Sequence, residues 1–100
     1  MASLYISEYD ETASVSGGQA VQVGKEPSVA DQKVTYTSST ASAAFNDKTV
    51  FIRVIADATV HLKFGANPTA DATDLMLPAN KEEYFGVTPG QKVAAYDGTT

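Results

Sequence analysis

At 100 residues and 43% hydrophobic content, the chain has the size and composition of one globular domain able to fold around a single core. It contains no cysteine, which excludes disulfides and thiolate chemistry. Its net charge of −5 and its seven scattered Lys and Arg residues form no basic patch, so phosphate-dominated nucleic-acid binding is disfavoured.

No apolar run approaches the length that spans a bilayer, and no membrane partner is expected. Residues 1–6 lack the basic and apolar regions of a secretory signal. The start at Met1 leads us to expect an unprocessed chain made in the cytoplasm.

Leu4 to Tyr9 reads as a strand, with Leu4 and Ile6 on one face and Tyr5, Ser7 and Tyr9 on the other. Residues 10–20 are small and polar and include Gly17-Gly18, as expected of a loop or flexible arm. Val21 and Val23 mark a short strand, and Pro27 a bend. Gln32 to Thr37 is strand-like, with Val34 and Tyr36 in phase. Residues 38–44 are a run of small residues, SSTASAA, closed by Phe45, with Ala41, Ala43 and Phe45 on one face; the small serines and alanines suit an edge strand or a close approach of two sheets. Asn46-Asp47-Lys48 is a turn signal.

Residues 49–64 carry the clearest pattern. Phe51, Ile52, Val54 and Ile55 form an apolar run, and Val60, Leu62 and Phe64 alternate with Thr59, His61 and Lys63. Asp57 and Ala58 lie between them, which predicts a β-hairpin with its first strand the more deeply buried. Gly65 ends the second strand, and Pro68 holds Asn67 extended. A polar loop over 69–74 offers the best chance of a short helical turn. Residues 74–77 form a brief apolar piece stopped by Pro78. Glu83, Phe85 and Val87 share one phase of a further strand. Thr88-Pro89-Gly90-Gln91 has the type II turn signature, and Val93 and Ala95 are in phase in the last strand, before a tail over 97–100.

About eight or nine short strands at roughly ten-residue spacing predict a single all-β domain over 1–100. An antiparallel β-sandwich, jelly roll or small barrel fits this pattern.

Little in the chain points to catalysis. His61 is the sole histidine, lies on the polar phase of its strand, and has neither an oriented partner for base chemistry nor companion ligands for a metal. The carboxylates fall mostly in predicted turns, where aspartate bonds its own backbone; Asp71 and Asp74 share a loop without the spacing of a calcium site. There is no GxSxG, and Gly17-Gly18 lacks the ending of a phosphate loop. No enzyme activity, metal or cofactor is expected. Five tyrosines without a tryptophan are notable; Tyr5 and Tyr9 lie opposite the apolar phase of the first strand, where a partner could cover them.

FIRVIADATVHLKFGANPTA followed by LMLPANKEEYFGVTPGQKVAAY resembles small virion proteins of tailed bacteriophages, in which a strand hairpin leads to a G-x-x-P-T/A loop, a short L-P-A segment, E-Y-F-x-V and P-G-x-K-hydrophobic. The resemblance implies a non-enzymatic β-sandwich or jelly-roll capsid decoration (cement) protein, a homo-oligomer located in the virion, with the major capsid protein or another virion protein as partner. The candidate contact residues are Tyr5 and Tyr9, with Asn67 and Pro68 in the loop after Phe64. A head–tail, tail or fibre protein is the alternative of the same class. A carbohydrate-binding sandwich is the alternative of another class, weakened by the absence of tryptophan. The strand pair predicts that Leu62→Ala unfolds the domain and that His61→Ala leaves it intact.

Overall fold

The computed structural model describes residues 2–14, 20–24 and 26–98. Among them are ten strands: β1 (Ala2–Tyr9), β2 (Thr12–Ser14), β3 (Ala20–Gly24), β4 (Ala30–Tyr36), β5 (Thr40–Ala41), β6 (Phe51–Ala56), β7 (Val60–Gly65), β8 (Leu75–Leu77), β9 (Glu83–Gly86) and β10 (Lys92–Tyr96). Eight of them form two four-stranded antiparallel sheets, ordered β4-β1-β6-β9 and β5-β10-β7-β8. The remaining two, β2 and β3, pair as a separate ribbon inserted between β1 and β4. Part of the expected 10–20 arm is therefore ribbon; residues 15–19, including Gly17-Gly18, lie outside the described residues, as do residues 99–100 of the tail.

The sheets face each other in a sandwich-like arrangement. One core cluster joins Leu4, Ile6, Val34, Tyr36, Ile52, Val54 and Ala56 of the first sheet to Val60, Leu62, Leu77, Val93 and Ala95 of the second. These are alternate residues along each strand, so the period-two pattern maps directly onto inward and outward faces.

The predicted hairpin over 49–64 is not a hairpin. β6 pairs with β1 and β9, and β7 pairs with β10 and β8. The two strands are consecutive but belong to opposite sheets, and Asp57-Ala58-Thr59 arches between them. Their apolar faces meet across the core instead of lying side by side. Alternation decides which face a residue occupies, and it is silent on which strand lies beside it. The arch is tied down by its surroundings. Asp57 Oδ1 accepts the Ser3 N–H at 2.8 Å, and the Asp57 N–H donates to the Ser3 carbonyl at 3.2 Å. The buried Tyr36 hydroxyl donates toward the carbonyls of Ala58 and Thr59 at 3.1 and 3.3 Å. The Asn80 N–H donates to the Ala56 carbonyl at 2.8 Å, linking this crossover to the one from β8 to β9. Asn80 stands at φ 61°, a left-handed conformation that asparagine adopts more readily than most residues.

Two further expectations change. The run Ala41, Ala43, Phe45 does not share a buried face: Ser42 and Phe45 are buried, and both alanines are exposed. The Ser42 side chain explains why β5 is so short. Its Oγ accepts the Val93 N–H at 3.1 Å, so a side chain replaces a backbone partner on the edge of β10. Residues 69–74 contain no helix; they form a turn closed by the Asp74 N–H on the Asp71 carbonyl. The type II turn is present, with Gly90 at φ 83° and the Gln91 N–H donating to the Thr88 carbonyl at 3.2 Å.

Candidate functional site

The outward face of the first sheet is built by residues that alternate with the core. Across β4, β1 and β6 it reads Lys33, Tyr5, Ile55 in one row; the next row, which extends to β9, reads Asp31, Ser7, Arg53, Tyr84. Tyr5 is 45% exposed, with the Lys33 ammonium 5.6 Å from its ring centroid. Arg53 donates from Nη2 to Glu82 at 2.8 Å, which holds its guanidinium pKa above the usual value. This bridge is largely solvated, so it orients side chains more than it stabilises the fold.

Tyr9 lies on the same outward phase as Tyr5 but is only 3% exposed. It sits opposite Phe51, whose ring stacks on Tyr84 at 5.4 Å, and β3 runs against β6 nearby. The Tyr9 hydroxyl donates to Glu26 at 2.8 Å. Burial, reinforced by that carboxylate, raises the pKa of the Tyr9 phenol. Glu26 also lines an open recess of about 310 Å³ with Asp10, Glu11, Pro27, Ser28 and Val29 at the foot of the ribbon.

The second sheet carries the loop after Phe64 on its outward face. Ala70 is buried there against Ala94 and Tyr96, and its N–H donates to Ser39 Oγ at 2.9 Å. Asn67 is exposed and Pro68 half-buried. Asp71 accepts from the Thr73 hydroxyl and N–H, which lowers its pKa, and Asp74 accepts the Asp71 N–H. Both carboxylates thus serve their own turn. His61 is on this face as well. A carbonyl can only accept, so its Nδ1 donates to the Asp74 carbonyl, at 3.2 Å; the ring lies 6.2 Å from that of Tyr96.

Tyr5 and Tyr9 therefore belong to the outside of one sheet, and Asn67 and Pro68 to the outside of the other. The four residues do not converge on one site. Apart from Val50 (46%), just before β6, the exposed large apolar residues that the sequence did not single out are Leu75 (46%) and Met76 (58%) on the edge strand β8. Their signal was present in the short apolar piece before Pro78.

The most constrained polar group is Glu8, which is 1% exposed and faces the core. Its Oε1 accepts from the Asn46 N–H and the Thr49 hydroxyl, and its Oε2 from Gln32 Nε2, each at 2.8 Å. Gln32 passes the connection on to both backbone groups of Ala43. The expectation that the carboxylates serve mainly in turns misses this one. Its phase, continuing Leu4 and Ile6, marked it as inward. All three of these hydrogen bonds to the carboxylate come from the chain itself, which suits holding the 42–49 segment. Among the described residues, no group of three or more His, Cys, Asp or Glu side chains is placed to hold a metal. What the geometry offers is surface: two sheet faces and their edges. No family model, no curated protein and no solved structure matches this chain.

Proposed function

We propose that this protein is a structural component of a tailed-phage particle, a capsid decoration protein that binds and stabilises the major capsid shell. The observation that carries the reading is the sequence pattern from Phe51 to Tyr96, of which the opening strands form an arch and no hairpin, while the type II turn within it has the expected geometry. The architecture is compatible with that role. Counted in chain order from β4 and ending on β1, the eight sandwich strands take the orders 1-8-3-6 and 2-7-4-5. We read this as a jelly roll whose closing strand is supplied by the N-terminus, an architecture found among capsid proteins and lectins. The support is fold-level analogy, since one fold hosts many functions. In this role the protein works by burying modest contacts at many equivalent sites, where avidity replaces tight single-site affinity.

The test is rebinding. Purified protein is added to particles or empty shells that lack it and imaged. Regular occupancy over the capsid lattice is the expected result, and occupancy at a single vertex or along the tail points to the alternative virion site. Failure to associate with any virion component overturns the reading.

A further inference from the structure

We propose that β4 is a self-association edge, pairing antiparallel with β4 of a second copy about a two-fold axis through Gln32, so that the two four-stranded sheets become one continuous sheet. The sandwich has four edge strands, β4, β5, β8 and β9. Three of them are short, at two, three and four residues, whereas β4 has seven. A long edge with unpaired N–H and C=O groups is a template for another strand.

Charge selects both the partner and the register. Asp31 and Lys33 are exposed, and both lie on the outward face. Directly opposed residues of a ladder must point to the same side, so a two-fold pairing has to centre on a residue and not between two. Centring on Asp31 sets Asp31 against its own copy, and centring on Lys33 sets Lys33 against its own copy. Centring on Val34 leaves Lys33 opposite Thr35. Only the axis at Gln32 places Asp31 opposite Lys33 of the second copy, twice by symmetry. On the inward side the same register sets Ala30 against Val34, an apolar pair. Asp31 is already held in place, since the Ser28 hydroxyl lies 3.0 and 3.1 Å from its two carboxylate oxygens. The alternating charges thus discourage pairing with an arbitrary strand and favour this one. The proposal does not depend on the capsid reading.

Sedimentation equilibrium of the purified chain tests it. The expected result is a mass rising with concentration from 10.5 kDa toward twice that value. Lys33→Asp and Asp31→Lys each replace two opposite-charge contacts with two like-charge ones, which weakens the dimer by about tenfold or more. Both positions are exposed, and far-UV circular dichroism checks that each variant is folded. Mixing the two variants restores opposite charges at both contacts, so the mixture forms a heterodimer that neither variant matches alone. A wild-type chain that stays monomeric overturns the proposal. So does a dimer indifferent to either substitution, or a mixture that associates no better than its components.

Discussion

Glu8→Gln is the sharpest probe of how the sandwich is held. The substitution keeps the shape and turns one acceptor oxygen into an NH2 donor. The three groups facing it are the Asn46 N–H, the Thr49 hydroxyl and Gln32 Nε2, each 2.8 Å away. If the new NH2 faces Gln32, two donors meet. Rotating the Gln32 amide relieves that only by losing both of its bonds to Ala43, at 2.9 and 3.2 Å. If the NH2 faces the other side, the Thr49 hydroxyl can turn to accept, but the Asn46 N–H cannot. Every arrangement leaves at least one group of the network without its partner and removes a hydrogen bond to a carboxylate, which together cost roughly 1–3 kcal/mol. A domain of this size has about 5–15 kcal/mol in all, so the loss is a large fraction of its stability. Urea unfolding followed by far-UV circular dichroism measures it. A double-mutant cycle with Thr49→Val isolates the shared contact, with an expected coupling of about 0.5–3 kcal/mol. A loss below about 0.5 kcal/mol for Glu8→Gln, with no coupling to Thr49, would refute the claim that this network holds the 42–49 segment.

Leu62 is buried in the core, so Leu62→Ala is expected to lower the unfolding free energy by about 2–5 kcal/mol, against less than about 1 kcal/mol for His61→Ala on the outward phase; the reverse order in chemical denaturation overturns the assignment of faces. Gly98 stands at φ 86°, and a Cβ there would lie 2.8 Å from His61 Nε2. Gly98→Ala is therefore expected to lower the thermal midpoint, and by less in the His61→Ala background, where only the backbone strain remains; equal losses in both backgrounds rule out the clash. Burial, with Asp57 and Asp97 nearby, raises the Tyr36 phenol from 10.0 to about 12. Its proton is held more tightly in the folded state, so its contribution is intact below pH 10 and is lost as pH rises toward 12, at up to about 1.4 kcal/mol per pH unit. Tyr36→Phe should flatten part of that alkaline slope, and an unchanged slope removes Tyr36 as its source.

The alternation of Leu4 with Ile6, Val34 with Tyr36, Val60 with Leu62, and Val93 with Ala95 was readable because a pleated strand half-buried in a core leaves a period-two trace. The turn at Pro89-Gly90 was readable because only certain residues tolerate its backbone angles. Partner choice left no such trace. The three residues after Ala56 fit a hairpin or an arch equally well, and what ties the arch is Ser3, Tyr36 and Asn80, which reach the connection from elsewhere in the chain. The end of β5 depended on a serine hydroxyl accepting a distant N–H. The face occupied by Tyr9 was correctly placed, but its burial was not evident, because the carboxylate that takes its hydroxyl, Glu26, comes from a distant part of the chain.

The polar devices divide the molecule into parts with different work. The arch at Asp57, bonded to Ser3, lies at the start of β1, and the Glu8 network lies near its end, about five residues or roughly 17 Å away. Each end of the sandwich is thus tied by a carboxylate bonded within the chain, the exposed Asp57 at one and the buried Glu8 at the other. The outward face of the second sheet is partly roofed by the loop around Ala70. Among the described residues, the exposed features include the Tyr5 face of the first sheet, Val50, the apolar edge at Leu75 and Met76, the charged edge of β4 and the recess beside Glu26. A partner can approach from the side of the sheets, through side chains alternate to the core or through a strand edge. That geometry favours lateral assembly, in which extending the sheet across β4 leaves the Tyr5 face of both copies turned the same way.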